Sequence, residues 1–280
     1  MAFEAARILG DVEIVSVDSM QVYRGMDIGT AKPIPAERTE IPHHLLDLAD
    51  PDERFTVARF QAAFDEALAG IEARGHRALL VGGTGLYLQA VVDRLAVPGE
   101  WPAVRDELAD TGTEGLYRRL EALDPPAAAR IQPSNRRRVV RALEVTIGSG
   151  RPFSSFGPGV DAYPPTPYNL TGVWLPRATL ASRIDDRLRA QVEAGFVEEA
   201  VMLEPRMSPT ARQALGYREL LDHTVGRCSL DEALEVAARR TREFSRRQRM
   251  WFRRDPRITW LATAGDPLDL LPVVLGDWKR

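Results

Sequence analysis

The chain has 280 residues, of which 44% are hydrophobic and 28% charged, with a formal net charge of −3. This length and apolar content allow a large buried core and exclude disorder as the main state. Because the net charge is small and negative, a nucleic-acid site has to rest on local clusters of basic residues. Cys228 is the only cysteine, which excludes an intrachain disulfide framework and argues against a thiolate zinc site. No segment has the roughly 20 apolar residues of a membrane helix, so the sequence predicts an unprocessed, soluble protein of the cytoplasm with no membrane partner.

The first part of the chain alternates between helical and extended patterns. Helical periodicity covers residues 1–9 and 55–74, and extended segments cover 13–17, 45–48 and 78–81. Alternating elements of these lengths predict an α/β fold with a parallel sheet. We assign residues 1–100 to the first part of this α/β core.

The second half begins with helices only. Residues 101–150 predict a helical insertion with proline turns, and 151–169, which are dense in Gly, Pro and Ser, predict a linker loop. An extended segment at 170–175, three helical stretches at 178–203, 210–223 and 230–252, and a last extended segment at 257–261 follow. We expect the chain to return to the sheet at 170–175, so residues 170–280 predict the second part of the core, with C-terminal helices.

A carboxylate follows the first predicted strand directly. Asp18 begins the word Asp-Ser-Met-Gln, and a carboxylate at the carboxyl end of a parallel strand is placed to act as a base. The alternative is that Asp18 only caps the next turn. The polar loop downstream holds Gly25, Gly29 and Thr30, and then Lys32, one of two lysines against 35 arginines, so this loop is suited to phosphate contact.

A glycine turn follows the strand at 78–81. Backbone N–H groups of Gly82, Gly83, Thr84 and Gly85, with the dipole of the helix they open, are suited to an anion. The alternative is an ordinary strand-to-helix turn of an α/β fold.

Arginines cluster at three places in the chain. Arg183 and Arg187 share one face of a predicted helix, where i,i+4 ion pairs with neighbouring acids are the alternative to a functional site. Residues 136–141 hold four arginines in six positions. Residues 239–254 hold eight arginines against one acid, Glu243, and this imbalance favours a nearby polyanion. The alternative for this last helix is solvated arginines opposite core-facing aromatic residues, and both interpretations can hold together.

The words SVDSMQVYRGMDIGTAKP (16–33) and VGGTGLY (81–87) closely resemble bacterial tRNA dimethylallyltransferases, and the resemblance extends to about Trp260. It implies a core of P-loop NTPase type and transfer of a dimethylallyl group from dimethylallyl diphosphate to an adenine next to the tRNA anticodon, on its 3′ side. In this resemblance Asp18 accepts the proton of the exocyclic amine, Thr84 lies where donor and base meet, and Arg187 stabilises the diphosphate.

The resemblance also implies binding residues and partners. Contacts to the tRNA anticodon stem-loop are implied for Asp18, Ser19, Met20, Gln21, Thr84, Arg105, Arg137, Arg138, Val139, Val140, Arg141, Gln213, Ala214, Leu215, Gly216, Tyr217 and Arg218. Diphosphate contacts are implied for Lys32, Arg183 and Arg187. Mg²⁺ is the implied cofactor, with no protein ligand assigned, and a monomer is expected.

Members of the family carry a first strand and a G-x-x-x-x-G-K-[ST] loop before the Asp-Ser word, and no such motif occurs here. We therefore expect that the sequence is an N-terminally shortened record of an ordinary enzyme, and that the chain as written is much less active than its relatives. Two alternatives stay open. One is a small-molecule enzyme similar to adenylate isopentenyltransferase, and the other is a non-catalytic tRNA-binding remnant.

Overall fold

The computed structural model describes residues 1–278, which belong to two units: Met1–Val92 with the chain from Pro165 onward, and Asp93–Pro164. The elements of the first unit, in chain order, are α1 (Ala2–Leu9), β1 (Val12–Val17), α2 (Pro35–Glu40), β2 (His43–His44), α3 (Val57–Ala73), β3 (Arg77–Gly82), α4 (Gly85–Val92), then β4 (Thr171–Trp174), α9 (Arg177–Glu193), α10 (Phe196–Leu203), α11 (Tyr217–Thr224), α12 (Leu230–Phe252), β5 (Thr259–Ala262) and α13 (Leu271–Trp278). The second unit contains α5 (Pro102–Glu107), α6 (Thr113–Leu123), α7 (Pro125–Ala128) and α8 (Arg136–Ser149). The predicted α/β class with parallel strands is confirmed.

β1 is the central strand of a three-stranded parallel sheet. Ile14 pairs with His43 of β2 on one side and with Leu79 of β3 on the other. All six residues of β1 are buried, because strands flank both edges and helices cover the faces. The largest core cluster packs against this sheet and includes Phe60 and Phe64 of α3.

The extended segment predicted at 45–48 is not a strand. Pairing with β1 ends at His44, because Leu45 and Asp47 have positive φ angles of 63° and 57° and turn the chain away from the sheet. An isolated bridge between Tyr23 and Ala49 continues the parallel contact.

β4 and β5 form a separate parallel sheet, with Thr171 opposite Thr259. Within residues 1–278, β3 pairs only with β1 and β4 pairs only with β5, although both strands line one cavity of about 870 Å³. The apolar residues Ala78–Val81 of β3 are consequently only half-buried. The prediction that 170–175 returns to the first sheet is therefore wrong for the described residues.

The second unit is all-helical, with a core that includes Leu116 and Leu120 of α6 and Val139 and Leu143 of α8. Its boundaries differ from the predicted 101–150. Most of the predicted linker belongs to it, because the buried Asp124 carboxylate accepts hydrogen bonds from the backbone N–H (2.8 Å) and hydroxyl (2.6 Å) of Ser154. No helix among the described residues is long and apolar enough to cross a bilayer.

Candidate active site

The carboxyl ends of β1 and β3 bring Asp18, Ser19 and Thr84 together. The backbone N–H of Ser19 donates to Thr84 Oγ1 (3.1 Å), and the Thr84 hydroxyl donates to Ser19 Oγ (3.3 Å). Gly82 is required for this approach, since a Cβ there would lie 2.2 Å from the Val17 carbonyl oxygen.

The Asp18 carboxylate has one engaged and one free oxygen. Oδ1 accepts hydrogen bonds from the backbone N–H groups of Met20 (2.7 Å) and Gln21 (3.4 Å), which is the capping role. Within residues 1–278 Oδ2 has no hydrogen-bond partner. Capping and availability as a base therefore coexist in the same half-buried side chain.

The negative charge of Asp18 affects the pKa values of two further side chains, Tyr87 and Arg187. Burial of Tyr87 raises the pKa of its hydroxyl to about 12, and Tyr23 and Asp18 add to this shift. The Arg187 side chain is exposed, although neighbouring protein atoms restrict its contact with water. Partial loss of water lowers the pKa of the Arg187 guanidinium, and the negative charge of Asp18 opposes that shift.

Arg187 does not form the intrahelical ion pair that was its alternative interpretation. In the described part of the chain no carboxylate lies within 4.0 Å of its guanidinium. The neighbouring acids have other partners, since Asp185 pairs with Arg242 of α12 (2.9 Å) and Asp186 with Arg189 (3.4 Å). Arg183, the other predicted diphosphate residue, lies 3.9 Å from an Asp266 oxygen.

The end of α12 packs directly on the glycine turn. The Gln248 amide donates to the Gly83 carbonyl (3.0 Å). A Cβ on Gly83 would lie 1.6 Å from Gln248, and one on Gly85 would lie 2.4 Å from Trp251. The arginine-rich helix is thus anchored beside the turn that carries Thr84.

Lys32 has a structural role in place of the predicted phosphate contact. Its fully buried ammonium donates to the Tyr23 carbonyl, to Asp27 Oδ1 (2.8 Å) and to Asp47 Oδ1 (2.6 Å). An ammonium has three donors, and all three are used. No donor remains for a diphosphate.

Buried Glu144 binds two of the predicted RNA-contacting arginines. Arg105 donates to both Glu144 oxygens (2.9 and 3.0 Å), and Arg141 lies 3.2 Å from the same carboxylate. Burial raises the pKa of Glu144. The Trp101 N–H and these two arginines lower it by more, so the net shift of the pKa is downward.

Two arginines of α8 remain available. Arg137 and Arg138 are exposed, and within residues 1–278 neither has a carboxylate partner. Arg136 donates instead to the Ala109 and Thr111 carbonyls, which follow α5. The Val139 side chain is fully buried in the core of the helical unit and Val140 is half-buried against it, so the predicted RNA contact is replaced by packing at Val139.

The predicted RNA-contacting segment 213–218 is also largely structural. Ala214, Gly216 and Tyr217 are buried, and Leu215 is half-buried. The Tyr217 hydroxyl donates to Glu199 (2.6 Å). Only Gln213 and Arg218 are exposed, so direct side-chain contact with RNA is restricted to these ends.

The remaining residues of the Asp-Ser-Met-Gln word point inward. The Gln21 amide accepts from the Ser16 hydroxyl (2.7 Å) and donates to the Thr30 carbonyl (3.0 Å). Met20 packs against the main core. These two side chains therefore stabilise the turn after β1 through internal contacts.

Sequence reasoning missed Tyr87 and Glu199. Tyr87 lies in the VGGTGLY word but was given no role. Glu199 carried a readable signal, because it falls on the same face of α10 as the buried Phe196, Ala200 and Leu203.

The described residues offer no all-protein cage for the implied magnesium ion, which proteins commonly hold with one or two carboxylates together with substrate phosphates and water. Among residues 1–278 no three His, Cys, Asp or Glu side chains are arranged to hold a metal ion. Mg²⁺ favours octahedral oxygen coordination, and Asp18 is a single carboxylate at this site.

The chain matches one family model and curated relatives over most of its length. The family model described as IPP transferase matches residues 21–255. A tRNA dimethylallyltransferase from Kineococcus radiotolerans is 49% identical over 94% of this chain and 85% of its own, and one from Geobacter metallireducens is 44% identical over 99% and 92%.

Solved structures match over nearly the whole chain. A tRNA isopentenylpyrophosphate transferase from Bacillus halodurans has a TM-score of 0.70 and 36% identity, covering 99% of this chain and 90% of that one. A eukaryotic dimethylallyltransferase acting on tRNA has a TM-score of 0.79 and 25% identity, covering 99% and 73%. These neighbours confirm the predicted P-loop NTPase type of core. The chain belongs to the IPP transferase family.

Proposed function

We propose that this protein is a tRNA dimethylallyltransferase, which transfers a dimethylallyl group from dimethylallyl diphosphate to the exocyclic amine of the adenine immediately 3′ of the anticodon. The observation that carries the proposal is the free Oδ2 of Asp18 at the end of β1, next to Ser19, whose backbone N–H donates to Thr84. The charge of Asp18 also acts on the guanidinium of Arg187, which has no carboxylate partner among residues 1–278. The relatives named tRNA dimethylallyltransferase support the same reaction.

The residues suit a single displacement at carbon. The exocyclic amine is a poor nucleophile, because its lone pair is delocalised into the purine ring. Asp18 takes the amine proton as the new N–C bond forms and the C–O bond to the diphosphate breaks. The departing diphosphate carries the negative charge, and Arg187 is placed to stabilise it.

The acceptor has to leave its base stack to reach Asp18. We propose that exposed arginines without carboxylate partners hold the anticodon stem-loop by its phosphates. In the described chain these include Arg137 and Arg138 of α8, and Arg246, Arg247 and Arg253 in and after α12. The protein acts as a monomer in this proposal.

A transfer assay with three acceptors tests the function. The protein, in the form that its gene encodes, is incubated with dimethylallyl diphosphate and one acceptor: an anticodon stem-loop with adenine 3′ of the anticodon, the same RNA with guanine there, or AMP. We expect a prenylated product only from the adenine-containing RNA, detected by mass spectrometry.

Each other outcome selects an alternative. Prenylated AMP with unmodified RNA would identify a small-molecule enzyme. Binding of the RNA in a gel shift without any transfer would identify a tRNA-binding protein that lacks catalysis.

A further inference from the structure

One buried carboxylate collects four hydrogen-bond donors from distant parts of the chain. Glu199 Oε2 accepts from the backbone N–H groups of Asp27 (2.9 Å) and Ile28 (2.7 Å). Glu199 Oε1 accepts from the Gly29 N–H (3.0 Å) and from the Tyr217 hydroxyl (2.6 Å). A carboxylate has about four acceptor positions, so these contacts offset the cost of burying its charge.

The backbone of the loop that Glu199 holds packs closely against two aromatic rings. A Cβ on Gly29 would lie 2.2 Å from Phe196 and 2.5 Å from Tyr217, so the backbone rests on both rings. Burial and the charge of Glu199 raise the pKa of the Tyr217 hydroxyl, which therefore remains a donor. The anchor thus fixes residues 27–29 by charge and by contact.

This loop is connected by hydrogen bonds to Asp18 on one side and to the helix that carries Arg187 on the other. Its Thr30 and Ala31 carbonyls accept from the Gln21 amide (3.0 and 3.3 Å), and the Gln21 backbone N–H donates to Asp18. On the other side, Gln191 donates to the Ile28 carbonyl (2.6 Å). Gln191 follows Arg187 by four positions on α9, so the two side chains share a helix face.

We infer that Glu199, with Tyr217, is a positioning residue: it fixes loop 27–31, and this loop sets the placement of Asp18 through Gln21 and of Arg187 through Gln191. The inference rests on the proposed function, since it concerns the geometry of the same transfer. Small displacements of catalytic groups are costly, so loss of the anchor reduces the rate without removing any group that touches substrate.

The test is Glu199→Gln, with Glu198→Gln on the exposed side of the same helix as the matched control. The amide replaces one acceptor oxygen by a donor that faces backbone N–H groups. We expect the single-turnover transfer rate at saturating substrates to fall at least tenfold, with tRNA affinity within twofold. Hydrogen exchange at residues 18–21 and 27–31 should accelerate, and Glu198→Gln should change none of these.

A purely structural role predicts a different result. Below its unfolding transition the Glu199→Gln protein would then transfer at the normal rate, and residues 18–21 would exchange as in the unaltered protein; that result overturns the inference. An unaltered protein that makes no product contradicts the proposed function instead, so the two failures are distinguishable.

A second variant keeps the inference testable if Glu199→Gln does not fold. Tyr217→Phe removes one of the four donors and should lower the rate two- to threefold, with faster exchange at residues 18–21. Combining it with Gln21→Ala should lower the rate by less than the product of the two single effects, because both changes break the connection through Gln21. Independent, multiplying effects would contradict the connection through Gln21.

Discussion

At the scale of single residues, a partner carboxylate decides what an arginine of the helical unit does. Arg105 and Arg141 have Glu144 as their partner and stabilise the fold, whereas the neighbouring Arg137 and Arg138 have none among residues 1–278. The sequence alone does not distinguish the roles of these arginines. Their roles separate only when the burial of Glu144 is known.

We predict that Arg138→Ala weakens binding of the anticodon stem-loop about equally for all sequences and lowers the salt dependence of binding by about one phosphate contact, without lowering the melting temperature. Arg105→Ala is the matched comparison. It removes a partner of buried Glu144 and should destabilise the fold by about 1–3 kcal/mol. RNA titrations at several salt concentrations measure the affinity, and thermal melts measure the stability. An equal decrease of the melting temperature in the two variants would contradict the division between RNA-binding and fold-stabilising arginines.

The site residues were predictable to different degrees for a physical reason. Asp18 and Thr84 follow strands, and parallel strands bring their carboxyl ends to one edge of a sheet, so their meeting follows from local pattern. The burial of Lys32 does not follow from local pattern. Its partner Asp47 comes close only because the chain turns at Leu45 and Asp47, where φ is positive. The anchor at Glu199 depends on contacts 170 to 172 residues apart.

At the scale of elements, the central strand carries a charge inside the sheet. Glu13 of β1 is 1% exposed, and its carboxylate accepts from Arg74 (2.8 Å), His44 (2.5 Å) and His76 (2.9 Å). The hydrogen bonds from Arg74, followed by those from the two histidines, outweigh burial and lower the pKa of Glu13 to about 2.

This shift predicts a pH dependence of stability. Because the pKa of Glu13 is lower in the folded protein than its ordinary value of 4.5, the ionised form stabilises the fold at higher pH. The contribution, up to about 3 kcal/mol, is complete above about pH 4.5 and is lost as the pH falls towards 2. Urea unfolding measures the free energy of unfolding of the protein and of Glu13→Gln at each pH. Between pH 6 and about pH 3 this free energy should fall less in the variant. Equal falls would contradict the stabilising role of ionised Glu13.

Elements with complete local signals were predictable from the sequence. The predicted helix at 230–252 matches α12, since Ser229 and Glu232 form a capping box at its start. β2 was not predictable, because its two histidines carry no apolar alternation and its end is set by the turn at Leu45.

At the scale of the whole molecule, two parallel sheets border one cavity. β3 and β4 both line it, and each has one edge without a strand partner among the described residues. Only Gly10 and Asp11 separate α1 from β1, so α1 runs back along the sheet and Met1 lies towards its carboxyl edge. A strand that preceded α1 and ran parallel to β1 would end at this edge.

We predict that a strand fused before Met1 would occupy the cavity and pair with both β3 and β4, joining the two sheets. Fusing the strand and phosphate-binding loop of a relative before Met1 should slow hydrogen exchange of the amides in Arg77–Gly82 and Thr171–Trp174, because backbone groups at both edges would gain partners. A fusion of equal length in which the strand contains two prolines is the control. Equal exchange in both fusions would contradict the prediction.

The central claim, that Asp18 removes the amine proton, is tested most directly by Asp18→Asn in a single-turnover transfer assay with a parallel measurement of stem-loop affinity. Asparagine keeps an oxygen for the Met20 N–H but does not accept the proton. We expect the transfer rate to fall by about 10²-fold or more, with RNA affinity within a few fold. A variant that transfers at the normal rate, or one that loses RNA binding instead, would contradict the claim.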